Sequence, residues 1–340
     1  MKFISFVLFS SLVSTGAFAQ MNQNHVVASG TLLNLLKLPE EIFWAINRPL
    51  MVKQHKEESL LTRQDHSYSE ESLSCEEKCY DDFRILADKS KRMRPDTGEH
   101  LLSFLNEKSD FANHIQRTVG YCWGHSSITR NFNYLAYFDP SAEKLETKKY
   151  RKIIKKIAGG RAAVIPGFPN LREFSADPEI QVLLKDRVVS KWVSNSLRLS
   201  SAYVSFRGFK GLMKPNKLNK FLDEVRFRLS VNHVPKIFFT NLKKPGFIHI
   251  VSVYDIVEEE NQYKLCILDN HEYEDDLRNC GVFVSIKKDG SENFYAGWET
   301  PEKNREGYVG QFGFTPEDRS EMMRYRKENT KMCLKLCQGM

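Results

Sequence analysis

Four residues in one short run have the types and spacing for acyl chemistry: Gln116, Gly120, Cys122 and Trp123, within Gln-Arg-Thr-Val-Gly-Tyr-Cys-Trp. A thiolate is a strong nucleophile, and a helix N-terminus or a nearby imidazolium favours it over the thiol. A helical pattern begins at Cys122, with Ile128, Phe132 and Leu135 at spacings of four and three. When sulfur attacks a carbonyl, the carbonyl oxygen becomes negative. The backbone N–H of Cys122 and the side-chain amide of Gln116 are the candidate donors to it, such a donor being worth about 3 kcal/mol in the transition state. The base must come from elsewhere in the chain. His249 stands in the strand-like run Phe-Ile-His-Ile-Val-Ser-Val-Tyr, 127 residues after Cys122. A third group must accept from the imidazole nitrogen turned away from sulfur. Asp269 and Asn270, which follow the strand-like run Tyr263 to Leu268, are the candidates. His125, three residues past Cys122, would point away from a sulfur in the first helical turn. His114 and His271 are read as bystanders.

This constellation resembles the papain-like cysteine peptidases. In that superfamily a Gln lies six residues before the nucleophilic Cys, a Gly and one other residue immediately precede it, and an aromatic follows. Gln116, Gly120, Cys122 and Trp123 occupy those positions. The spacing from Cys to His in papain-type chains is roughly 130–150 residues. Distant bacterial members share a helix, a proline-led strand and a His opening a Val-rich strand, and many end the next strand in Asp. The resemblance covers residues 113–138 and 235–275. It implies a Cys122–His249–Asp269 triad with Asn270 as alternative third member, Gln116 in the oxyanion hole, and a protein or peptide substrate. It implies no organic cofactor and no metal. Val119 replaces a Cys common in the family, the family's prodomain pattern is not visible in residues 20–110, and Trp298 is the candidate for the aromatic that shields the third member. The alternatives are a transglutaminase-like acyl transferase, a cell-wall peptide hydrolase, and a papain-like binding module without activity. The short interval usual for cell-wall hydrolases disfavours the second.

The elements needed to hold these groups are legible in outline. The helical pattern from Cys122 runs to Phe138 and stops at Pro140. A basic helix spans Lys148 to Lys156, ended by Gly159-Gly160. Its six cations suit a solvated face, the simpler account, or contact with an anionic polymer. Residues 178–200 and 215–230 suggest two more helices. Pro235–Thr240, Phe247–Ile256, Tyr263–Leu268 and Val282–Ile286 read as strands of an antiparallel sheet. Thr315-Pro316-Glu317-Asp318 is a helix start, with Thr315 as cap and proline first. Helices, then strands, then a terminal helix make an α+β class. Under the resemblance it is a papain-like arrangement, a helical lobe bearing Cys122 packed against an antiparallel β-sheet lobe bearing His249.

Composition fits a globular chain of 340 residues with 41% hydrophobic and 27% charged residues. The formal charge of +7 carries no nucleic-acid motif with it. Lys2, the apolar run Phe3 to Val13 and Ala17-Phe18-Ala19 read as a secretory signal cleaved after Ala19. Residues 20–74 form an extension or pro-segment, and residues 75–340 the main domain. The expected product is exported, periplasmic or secreted, monomeric, and not inserted in the membrane after cleavage. Seven cysteines in an oxidising compartment leave one over. Cys75 and Cys79 share the spacing of Cys333 and Cys337, so two facing helices could be stapled twice. Cys266 and Cys280 could close a loop. Cys122 is then the free thiol.

Overall fold

The computed structural model describes residues 98–105, 121–196, 211–231, 233–243, 247–270, 279–298 and 307–337. The proposed signal and pro-segment, Gln116, His114, His271, Cys75 and Cys79 lie outside the described residues. So do the side chains of Trp298, Cys333 and Cys337. The described residues belong to one unit, Glu70–Met340.

Helix α1 spans Cys122–Leu135. It ends earlier than its periodicity suggests, because Ala136–Asp139 turns extended as strand β1. Strand β1 pairs in parallel with β2, Ala163–Pro166. Between them lies α2, Thr147–Ala158, whose Tyr150, Ile154 and Ile157 are buried. Helices α3 (Leu171–Ala176) and α4 (Pro178–Ser196) follow. Helix α5, Pro215–Ser230, starts on a proline and buries Leu218, Phe221, Leu222, Val225 and Leu229 on one face.

The chain then changes period. Strands β3 (Lys236–Asn241), β4 (Ile248–Glu258), β5 (Gln262–Leu268), β6 (Phe283–Lys287), β7 (Asn293–Tyr295) and β8 (Val309–Phe314) form one antiparallel sheet. Their order is β7-β6-β5-β4-β3-β8. The two edges approach each other: Phe294 bridges Tyr308, and the Tyr295 N–H donates to Gly307 O at 2.8 Å. The sheet thereby curls around a core that includes Phe239, Val251, Val253, Ile267, Val284, Tyr295 and Phe312. Strands β7 and β8 have no counterpart among the sequence-predicted strands. In β8, Gly310 and Gly313 break the apolar alternation that marks a strand. A Cβ at Gly313 would sit 2.5 Å from the Phe238 ring, so the aromatic takes the space of a side chain.

Helix α6, Asp318–Cys337, closes the chain. Among the described residues Thr315 Oγ1 has no hydrogen-bond partner, so the expected cap is not formed. The helix begins at Asp318, and Glu317 and Asp318 both enter buried ion pairs. The class is α+β with an antiparallel sheet, as expected.

All fourteen residues of α1 are buried, although half are polar. A helix buried all round is normally apolar all round. Here each face meets a different partner. Cys122 and Ser126 face β4, and the Ser126 hydroxyl donates to Ile250 O at 2.8 Å. Ile128 and Phe132 join the helical core. Gly124 faces α4, where a Cβ would lie 2.1 Å from Val188 O and 3.0 Å from Trp192 Cβ. The backbones meet at that point, and only glycine allows it. We expect Gly124→Ala to lower unfolding free energy by about 3 kcal/mol in urea titration. A loss below about 0.5 kcal/mol would show that the two helices do not touch there.

Candidate active site

The structure brings Cys122, His249 and Asp269 together. Cys122 is the first residue of α1, preceded by Tyr121, whose side chain makes no capping bond. It is 8% exposed and is the free cysteine among the described residues. His249 sits in β4, paired across the sheet with Phe239 of β3, whose ring meets the imidazole edge-on at 5.3 Å. The Cys122 side chain stands close enough to the imidazole to favour its charged form. Its Nε2 lies 3.1 Å from Asp269 Oδ1, which leaves Nδ1 as the nitrogen for sulfur. His249 and Asp269 are both buried.

Burial opposes charge on His249. Asp269 and Cys122 outweigh it and raise the imidazole pKa from 6.5 to about 9. The imidazolium is therefore favoured in the folded protein. His125 shows the contrary balance. Burial, against a Phe104 carbonyl and the more distant Asp269, lowers it to about 4. Its Nε2 lies 3.0 Å from Phe104 O, so it serves the packing of the segment around Phe104 and stays neutral.

Asp269 and Asn270 follow β5 and have different partners. The Asn270 amide Nδ2 lies 3.4 Å from Cys122 O, 3.1 Å from Ser126 Oγ and 3.2 Å from Ile250 O. It ties the first turn of α1 to β4. The turn bearing both residues opens a loop closed by the Cys266–Cys280 disulfide, with Cα atoms 5.1 Å apart. A cross-link over a loop of this length typically removes about 3 kcal/mol of unfolded-state entropy. Cys280 adopts φ of 53°, an uncommon conformation for a non-glycine residue.

Sequence reasoning missed Tyr295. Its ring stacks on His249 with centroids 5.6 Å apart and planes 21° apart. Its hydroxyl donates to Asp269 Oδ2, so one tyrosine covers His249 and anchors Asp269. No local signal marks it, because β7 is three residues long and lies on the far edge of the sheet in strand order.

Sequence reasoning also missed a buried ion cluster beside Cys122. The Trp123 indole donates to Glu317 Oε1 at 2.6 Å. Lys236 Nζ reaches the same oxygen at 2.6 Å, Glu321 Oε2 at 2.9 Å and Ser127 Oγ at 2.8 Å. Asp318 pairs with Arg130 and Arg228, lies 2.8 Å from His233 Nε2, and accepts from the Lys236 backbone N–H at 2.7 Å. Although burial opposes ionisation, Arg130, His233 and Arg228 hold the Asp318 carboxyl well below the usual carboxylate range. Burial also opposes charge on Lys236, yet Glu317 and Glu321 raise its pKa. The sequence signal available was weak: acids at 317, 318 and 321 read as ordinary helix-start residues.

Among the described residues no group of His, Cys, Asp and Glu side chains is arranged to hold a metal ion. Comparisons with protein families, curated proteins and solved structures found no match for the chain.

The shifts give stability a defined pH dependence. His249 is raised above its unfolded value, so its contribution is fully present below pH 6.5 and is lost as pH rises through about 9. Its full size is on the order of 3 kcal/mol. His233, lowered to about 4 by burial against the pull of Asp318, acts with His125 on the acid side. Both bind protons more readily when unfolded, so stability falls as pH drops from 6.5 towards 4. We expect urea titrations between pH 6.5 and 10 to show wild type losing stability and Asp269→Asn losing much less. Parallel curves for the two proteins would show that Asp269 does not hold the His249 proton.

Proposed function

We propose that the chain is a cysteine peptidase of the papain type, hydrolysing peptide bonds through a thioester. The observation that carries this reading is the placing of Cys122, at the start of a helix, beside His249, whose Nε2 lies 3.1 Å from Asp269 Oδ1. The helical layer bearing Cys122 and the antiparallel sheet bearing His249 suit the two lobes of that fold. The disulfide and the apolar start of the chain suit an exported enzyme.

Each residue then has a defined task. Cys122 Sγ attacks the carbonyl carbon, and the Cys122 backbone N–H, at the open end of α1, donates to the developing oxyanion. Gln116 is the proposed second donor. The C–N bond breaks as the His249 imidazolium protonates the leaving amine. A water molecule next gives its proton to neutral His249 and attacks the thioester. The carboxylic acid leaves, and sulfur is restored. Asp269 holds the ring orientation and stabilises the imidazolium. Tyr295 fixes Asp269 and covers one face of the ring.

Digestion of a peptide library by the oxidised mature protein, read by mass spectrometry, tests this. Cleavage should vanish in Cys122→Ala and fall about 1000-fold in His249→Ala. Tyr295→Phe keeps the ring and removes the hydroxyl, and should lower kcat by roughly tenfold with little change in KM. Cleavage that survives Cys122→Ala would remove the thiol mechanism. An added primary amine found in the products, in place of water, would redirect the reading to an acyl transferase.

A further inference from the structure

Helix α2 carries Lys148, Lys149, Arg151, Lys152, Lys155 and Lys156, and all six are exposed. At 100° per residue they occupy an arc of about 160°, along a helix about 18 Å long. The remaining arc is buried through Tyr150, Ile154 and Ile157. The helix itself contains no acid. With Lys144 and Arg161 at its ends, eight cations stand against Glu143 and Glu146 over residues 143–161. Among the described residues none of the six helix cations forms an ion pair with a carboxylate.

A solvated helix face normally mixes signs, because i,i+4 pairs of opposite charge stabilise a helix. Here Lys148–Lys152, Arg151–Lys155 and Lys152–Lys156 are like-charge pairs at that spacing, each costing about 0.2–0.5 kcal/mol. Lys148 and Lys149 also stand at the positive end of the helix dipole, where acids are favoured. The fold gains nothing from this arrangement, since the packing comes from the opposite face. An external anionic surface would relieve the repulsion.

We infer that α2 is a docking face for a membrane surface bearing anionic headgroups. Three features select that partner. The exposed arc has no aromatic side chain on which bases could stack, which disfavours single-stranded nucleic acid. Five of its six cations are lysines, point charges that suit diffuse headgroup attraction better than bidentate recognition. The cleft at the start of the helix is lined by Asp177 and Glu179 as well as Lys144, so the attraction is spread along the helix and not focused in a phosphate pocket. Because the apolar face is buried in the protein core, the helix lies on the bilayer without inserting, and salt releases it.

The test is co-sedimentation of the mature protein with vesicles of neutral lipid alone or with about 30 mol% phosphatidylglycerol. Binding should require the anionic lipid and disappear in roughly 0.5 M salt. A variant with Lys148, Lys152, Lys155 and Lys156 changed to Gln should bind at least about 30-fold more weakly. A control losing the same charge at the exposed Lys217, Lys220, Lys287 and Lys327 should bind like wild type. Equal losses in both variants would reduce the effect to net charge and overturn the assignment. Binding to neutral vesicles, retention in high salt, or tighter binding to duplex DNA at matched phosphate concentration would overturn it too.

Discussion

Asp318 is the point on which the arrangement depends. Its carboxylate meets Arg130 from α1, Arg228 from α5, and His233 and the Lys236 backbone N–H at the start of β3. Three elements, α1, α5 and the start of β3, converge on one residue at the start of α6. Burying a carboxylate is costly unless every lone pair finds a donor, and removing one partner of such a pair typically costs about 3–5 kcal/mol. The cluster therefore leaves little freedom in where α1 stands relative to the sheet. Glu317 and Lys236 extend it to Trp123 and Ser127, so the residue beside Cys122 is bonded into the same assembly. This explains how a helix rich in polar residues can be buried on every side.

The second half of the site is held by the sheet. His249 lies in β4, between β3 and β5, where neighbours on both sides restrain the backbone. Phe239 and Tyr295 confine its ring, while Asp269 and Cys122 favour its charged form despite burial. Asn270 and Ser126 join the two halves through Ile250 O. The disulfide between Cys266 and Cys280 closes the loop on which Asp269 stands. Position and ionisation of His249 thus arise from the same few contacts.

What was legible in the sequence were features that local pattern determines. The strand runs of Phe247 and Tyr263, the start of a helix at Cys122 and the helix Pro215–Ser230 all follow from spacing and from proline. The extent of α1 was overestimated, because Ala136 to Phe138 continue an apolar pattern that a helix and a strand share. Strand β8 was hidden by its two glycines, whose missing side chains make room for Phe238 and other neighbours. Tyr295, Glu317 and Lys236 were invisible for a different reason. Their roles exist only after distant segments meet, and nothing adjacent to them in sequence records the partner. The terminal double staple proposed for Cys75, Cys79, Cys333 and Cys337, and the donor role of Gln116, concern side chains outside the described residues.

The central claim is that His249 arms the Cys122 thiol. The most direct measurement is the rate at which iodoacetamide alkylates Cys122 in the oxidised mature protein, compared between wild type and His249→Ala at one pH and matched folded fraction. The account requires rapid labelling in wild type and a rate at least about tenfold lower in the variant. Equal rates, or a Cys122 that proves to be disulfide-bonded, would contradict it.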